Sequence, residues 1–206
     1  MIDGIRLGLG YGLIFLLPLV ITFWSVIHLG HSLWKKRPIW QAYSAALVAL
    51  AFCAFVVNGL RVWLLGTDLG ESLILFVAGM LIYLTSLVMA RSVRRHLAFR
   101  TFAGVPEIKG EAQTLITSGP FSAVRHPRYL MVIVGVIGWA FMSNYAGVYA
   151  VSVVSIVALV GITQMEEREL QLRFGDAYRA YQANVPMLLP KASAWRLFFT
   201  DETTSP

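Results

Sequence analysis

The stretch Ser118-Gly119-Pro120-Phe121-Ser122-Ala123-Val124-Arg125-His126-Pro127-Arg128-Tyr129 sets an arginine and a histidine immediately before a proline that opens a long apolar run. Pro127 suits the first turn of a helix, where no amide partner is needed, and it holds His126 extended beside the free amides of that turn. A helix start of this kind attracts anions. After two apolar spans the chain returns with Glu166-Glu167-Arg168-Glu169-Leu170, then Phe174-Gly175, Tyr178, Tyr181, Val185-Pro186 and Pro190. A basic cluster and an acidic pair therefore bracket an apolar helical hairpin.

Outward from that hairpin the whole chain is apolar. Of its 206 residues 57% are hydrophobic and 14% charged, and its 17 glycines fit close-packed membrane helices. A hydrocarbon core needs about 20 apolar residues. Five stretches meet or approach that length, at 7–29, 42–65, 72–90, 128–143 and 148–165. The expected fold is all-α: a polytopic membrane protein with about five transmembrane helices and a cytoplasmic C-terminal amphipathic helix. Asn144-Tyr145-Ala146-Gly147 predicts a tight turn between the last two spans, with little on its far side.

Orientation follows from the placement of Lys and Arg. Lys35, Lys36 and Arg37 follow the first span; Arg91, Arg94, Arg95, Arg100, Lys109 and Arg125 follow the third. The alternate loops hold Asp68 and Glu71 or no charge, which places the N-terminus outside and the C-terminus in the cytoplasm. The first span lacks a basic leader and a small-residue cleavage pattern, so it reads as a spanning helix rather than a removable signal. The net charge of +6 sits at membrane boundaries without a nucleic-acid motif, so no nucleic-acid partner is expected.

The single cysteine, Cys53, lies inside the second span between Phe52 and Phe55 and reads as a packing residue. Arg61, beside Asn58, reads as a snorkelling side chain. His28 and His31, without a carboxylate or metal-ligand pair nearby in sequence, read as interface histidines, and no metal site is expected. There is no Gly-Lys-Ser phosphate loop, His-Glu-x-x-His motif, dinucleotide fingerprint or internal repeat.

The first two spans carry little chemistry, and residues 1–95 read as a three-helix membrane scaffold. Residues 96–190 read as the functional core and 191–206 as a tail. The connector after Arg91 turns at Gly104-Val105-Pro106 and Lys109-Gly110, and Thr114-Leu115-Ile116-Thr117 reads as a short extended run that walls a pocket. From Met165 to Ala183 the spacing predicts one helix with an apolar stripe of Leu170, Phe174, Tyr178 and Tyr181. Glu166 and Glu167 then start on its packed side, while Glu169 and Arg173 form an exposed pair.

Cations and helix amides facing carboxylates suit a zwitterion with carboxylate, ammonium and hydroxyl groups. S-adenosylmethionine has them; a phosphate-bearing lipid headgroup would use the same cations. Three matching segments are Leu115-Ile116-Thr117-Ser118-Gly119-Pro120-Phe121, Arg125-His126-Pro127-Arg128-Tyr129, and Glu166-Glu167 with the Phe174-Gly175, Tyr178, Tyr181, Val185-Pro186 and Pro190 tail. In these the chain resembles the isoprenylcysteine carboxyl methyltransferase family and its phospholipid methyltransferase relatives. The resemblance covers about residues 100–190.

The resemblance implies a methyltransferase without a Rossmann domain, holding S-adenosylmethionine at its cytoplasmic face and taking a lipophilic acceptor from the bilayer, with membrane lipids as its surroundings. It places cofactor contacts on Gln113, Thr114, Leu115, Ile116, Phe121 (where a Tyr is common), His126, Pro127, Arg128, Tyr129 and Glu166. It leaves Arg125 and Glu167 to orient the reactants or stabilise charge. Ile162 stands where eukaryotic relatives carry a substrate-linked Arg, Met131 where a Gly is common, and Met187 where bacterial relatives often have Arg. Two other acceptor classes therefore stay open, a phospholipid and a small amphiphile methylated on N or S, beside a non-catalytic lipid-binding scaffold.

Overall fold

The computed structural model describes residues 2–34, 36–97 and 114–199. Gln113, the Gly104 and Lys109 turns, and the last residues of the tail lie outside the described residues. Four helices are long and apolar enough to cross a membrane: α1 (Ile2–Leu29), α3 (Ile39–Leu64), α4 (Leu73–His96) and α7 (Ala146–Phe174). The protein is a multi-pass, all-helical membrane protein. A short α2 (His31–Trp34) links α1 to α3, and α5 (Pro120–Ala123) precedes α6 (Pro127–Ser143). At 17 residues α6 rises roughly 26 Å, a little short of a hydrocarbon core about 30 Å thick. After α7 come α8 (Asp176–Asn184) and a 3-10 segment, Ala192–Phe198.

Helix α4 outruns its predicted span and carries Arg94, Arg95 and His96 in its last turn, where cations favour the helix dipole. It packs on α6 so closely that the backbones touch. A Cβ on Gly79 would lie 2.5 Å from the Gly138 carbonyl oxygen, and one on Gly138 2.6 Å from that of Gly79. Only glycine permits that approach. Leu13, Ile14 and Leu17 of α1 meet Val136, Ala140 and Val148 of α6 and α7 in the buried core. A second cluster joins Met89 and Val93 of α4 to Val124, Leu130 and Phe198, so the 3-10 segment closes under the basic end of the bundle.

The far end is not bare, as the sequence led us to expect. Arg6, only 2% exposed, reaches the Asp3 and Asp68 carboxylates, and its Nε donates to the Ser143 carbonyl at 3.3 Å. The α6–α7 turn rests on the loop before α4: the Leu69 N–H donates to the Asn144 carbonyl at 3.2 Å and the Ala146 N–H to the Thr67 carbonyl at 3.1 Å. The left-handed Asn144 (φ 57) turns the chain between α6 and α7 and leaves backbone polar groups that the second loop pairs.

Two further expectations are corrected. The C-terminal helix is broken at Gly175, whose φ of 55 ends α7 and starts α8 in a new direction. In one continuous helix Tyr178 would stand about 16 Å along the axis from Glu167; the break brings its hydroxyl within 2.8 Å of that carboxylate. Nor are Glu169 and Arg173 exposed: both are partly buried. Glu169 is largely buried, its Oε1 lying 3.3 Å from Nδ1 of His28, so His28 has the carboxylate neighbour that the sequence did not reveal.

The Arg6 cluster gives a stability prediction. Although burial favours the neutral acid, the hydrogen bonds from Arg6 and the Gly70 N–H hold the Asp68 carboxyl below the usual carboxylate range. Its contribution is therefore present above the unfolded value and lost as pH falls through the lower folded value. Arg6→Ala should cost about 1–3 kcal/mol in denaturant unfolding of the detergent-solubilised protein at neutral pH. The difference from the parent should narrow below about pH 4.

Candidate active site

The sequence around Arg125 folds as its residue types dictate. Val124 is extended (φ −146, ψ 151) after the single turn of α5, His126 occupies the N-cap of α6, and Pro127 begins its first turn. His126 is not the extended residue that Pro127 led us to expect but has φ −121 and ψ 62, and the Arg125–His126 backbone is tied to the Val185-Pro186 segment beyond α8. The Arg125 N–H donates to the Pro186 carbonyl at 2.9 Å and the His126 N–H to that of Met187 at 3.1 Å. Sequence segments about sixty residues apart thus become one wall.

Glu167 gathers that wall. Arg125 donates to it in a fork, Nε to Oε1 at 2.8 Å and Nη2 to Oε2 at 2.9 Å. His126 Nε2 lies 2.6 Å from Oε1, the Tyr178 hydroxyl donates to Oε1 at 2.8 Å, and the Gln182 amide donates to Oε2. A carboxylate only accepts, so the His126 hydrogen in this contact sits on Nε2. Burial works against the charge of Arg125, but the Glu167 hydrogen bonds and charge outweigh it and raise its affinity for the proton. Burial, then the hydrogen bond to Glu167, pushes the Tyr178 hydroxyl well above the ordinary tyrosine range, so it stays a donor. The Tyr181 hydroxyl donates to the Phe121 carbonyl and pins α8 across α5.

Against this wall lies a cavity of about 470 Å³, within the range of small-ligand sites. Thr114, Leu115, Ile116, Phe121, Arg125, His126, Pro127, Arg128, Tyr129 and Glu166 all line it, so the structure brings these sequence-predicted residues together. Arg128 Nη2 sits 3.4 Å from both oxygens of Glu166 and 3.4 Å from the Tyr129 hydroxyl. Glu167 stands behind the lining, its oxygens occupied by the donors above. Thr114 to Thr117 has neither strand nor helix structure.

The cavity also takes in His96 and Leu97 from the end of α4, Glu169 and Arg173 from α7, and the stripe residues Leu170, Phe174, Tyr178 and Tyr181. The stripe read as packing because its spacing is that of a buried helix face. His96 closes the basic run at the end of α4, which read as a membrane boundary. Among the described residues no group of His, Cys, Asp and Glu side chains is placed to hold a metal ion.

The phospholipid methyltransferase family matches residues 73–177, from the first residue of α4 through the break at Gly175. The chain belongs to that family. Every cavity residue named above except Tyr178 and Tyr181 falls inside the match. Methanethiol S-methyltransferase 2 of Bradyrhizobium diazoefficiens is 30% identical over 199 residues, covering 95% of this chain and 63% of the relative. The methanethiol S-methyltransferase of Pseudomonas deceptionensis is 26% identical over 157 residues, covering 75% of this chain and 59% of its own length. The cobalt-zinc-cadmium resistance protein CzcN of Cupriavidus metallidurans is 31% identical over 84 residues, 40% of this chain and 38% of the relative. The chain therefore spans about three-fifths of the length of the two methanethiol methyltransferases. No solved structure matches it significantly.

As a phospholipid methyltransferase family member, the chain keeps its site together through Glu167, which gives a second prediction. Glu167→Leu strands a buried guanidinium and should cost about 3–5 kcal/mol in denaturant unfolding. Tyr178→Phe removes one donor and should cost only about 1–3 kcal/mol. Equal losses would mean that Arg125 is satisfied without Glu167.

Proposed function

We propose that the protein is an integral membrane methyltransferase that uses S-adenosylmethionine and methylates a lipophilic acceptor, best fitted by a small apolar thiol. The observation that carries this reading is the cavity itself: within the family match it places the Arg128–Glu166 pair beside aromatic and aliphatic walls. That donor set suits the cofactor. Arg128 would take its carboxylate, Glu166 its ammonium or ribose hydroxyls, and Phe121, Phe174 and Leu115 the faces of its adenine.

Bound there, the cofactor would supply a methyl group already activated on a sulfonium. The chain's own residues then position and dehydrate. Arg125, fixed in place by Glu167, presents a rigid cation at the cavity, and the apolar helices beside it keep water out. A thiol acceptor must shed a proton, and His96 offers an acceptor for it. The Ser92 carbonyl, 3.0 Å from Nδ1, can only accept, so Nδ1 carries its hydrogen and Nε2, which lies against Gly119, keeps a lone pair.

Two observations support a small acceptor. Ile162, where relatives with a prenylcysteine substrate carry Arg, is buried against Tyr129 and Leu159, and the cavity volume suits the cofactor with a small partner better than with a prenyl tail. The two methanethiol S-methyltransferases point the same way. A phospholipid or isoprenylcysteine acceptor is the alternative outcome. Residues 96–190 would form the methyl-transfer core on the 1–95 membrane scaffold, with the N-terminus outside and the site and C-terminus cytoplasmic.

Calorimetry on the purified protein should show S-adenosylmethionine binding, weakened about tenfold or more by His126→Ala and by Glu166→Ala. Unchanged affinity in both folded variants would remove the site assignment. With methyl-labelled cofactor, label should pass to added methanethiol; label found instead in membrane lipid or prenylated product would replace the acceptor. In a Cys53→Ser background, a cysteine at position 70 should be labelled from outside and one at position 37 from the cytoplasm. The reverse pattern would invert the topology.

A further inference from the structure

Helix α1 lies outside the residues that the family matches, yet its last turns reach the site. Trp24 and His28 are four residues apart and so share one face. The Arg128 guanidinium carbon lies 4.4 Å from the centre of the Trp24 ring. The same indole stacks on His28, with ring centres 5.6 Å apart and 23° between the planes. His28, 3% exposed, reaches Glu169 through Nδ1 at 3.3 Å. Arg128 and Glu169 both line the cavity. A continuous row, Glu169, His28, Trp24, Arg128 and Glu166, thus runs from α7 through α1 and α6 back to α7, its two ends lining the cavity and its α1 members standing behind them.

The chemistry of each contact fits a supporting role. Glu169 accepts, so the His28 hydrogen sits on Nδ1; its Nε2 is buried with no hydrogen-bond partner among the described residues. A buried lone pair is tolerated more easily than a stranded N–H. Indole is the strongest aromatic partner for a cation, and a guanidinium stacked on it is oriented without using any of its five N–H donors. Arg128 can therefore lie on Trp24 and still present its donors to Glu166, to Tyr129 and to a ligand. Without the indole, a long side chain with many rotamers would be ordered by its hydrogen bonds and by the Tyr129 ring alone, whose centre is 5.1 Å from the guanidinium carbon.

We propose that Trp24 is a positioning residue, which aims Arg128 into the cavity, and that His28 fixes Trp24 and Glu169 in register with it. The ligand part rests on the reading of the cavity as the methyl-donor site; the contact part does not. The bland alternative is that Trp24 only fills space between helices.

Two measurements separate these. In the ligand-free protein, a cycle of Trp24→Leu, Arg128→Lys and the double variant, read as unfolding midpoints in detergent, should show strong coupling, the double variant losing less than the sum of the singles. Trp24→Phe keeps an aromatic face and should keep most of that coupling; additive losses in the cycle would overturn the row of contacts. In calorimetry with S-adenosylmethionine, Trp24→Leu should weaken binding about tenfold, with Trp24→Phe recovering most of it. Parent-like binding by Trp24→Leu would overturn the positioning role. Absence of binding by the parent would strike the methyl-donor reading instead and leave the ligand-free cycle to decide the contact.

Discussion

Glu167 must be satisfied before anything else in the site can be placed. An ionised carboxylate buried to 8% exposure has little water to solvate it, and each of its oxygens has to find protein donors. Arg125, His126, Tyr178 and Gln182 supply them. Those donors sit on two segments, the loop before α6 and α8, so meeting the demand of one side chain fixes both against α7. The reverse dependence is equally strict, because Arg125 is itself largely buried and gives its Nη1 donors to the carbonyls of Gln182 and Val185. The wall of the cavity is the by-product of that mutual satisfaction.

The same demand explains the break at Gly175. A straight α7 would have carried Tyr178 and Tyr181 away from the bundle, leaving Glu167 short of a donor and the Phe121 carbonyl without the Tyr181 hydroxyl. A positive φ turns the chain back within one residue, and glycine adopts it at no steric cost. The turn also leads the chain through Val185 and Pro186 to the backbone of Arg125 and His126. Pro186 can accept there but not donate, which suits an edge that offers only its carbonyl.

What the sequence made legible followed from short-range pattern. The apolar spans, the proline-started helix and the basic and acidic clusters at one boundary are local features, and they led to the helical architecture and to most of the residues that line the cavity. What stayed hidden involved pairing across long stretches of chain. Arg6 is a lone cation at the start of a span, and Asp68, its partner, is 62 residues away. His28 looked solitary because Glu169 is 141 residues distant. The stripe through Phe174, Tyr178 and Tyr181 kept helical spacing across Gly175, so periodicity masked a change of direction that only the glycine announced.

The two ends of the bundle solve one problem in different ways. At the far end Arg6 is consumed by Asp3, Asp68 and two backbone carbonyls, a closed cluster beneath the hairpin turn. At the site end the charges are divided. Glu167 closes one set of donors entirely, while Arg128 and Glu166 meet at 3.4 Å, longer than the forked contacts of Arg125 and with both side chains at the cavity. A pair joined at the longer distance, beside a tightly closed one, has contacts that a zwitterion at the cavity would compete for. On the proposed function, the separation of a rigid carboxylate from a responsive one, on adjacent residues of a single helix, would let this end of the bundle hold both a stable structure and a polar ligand.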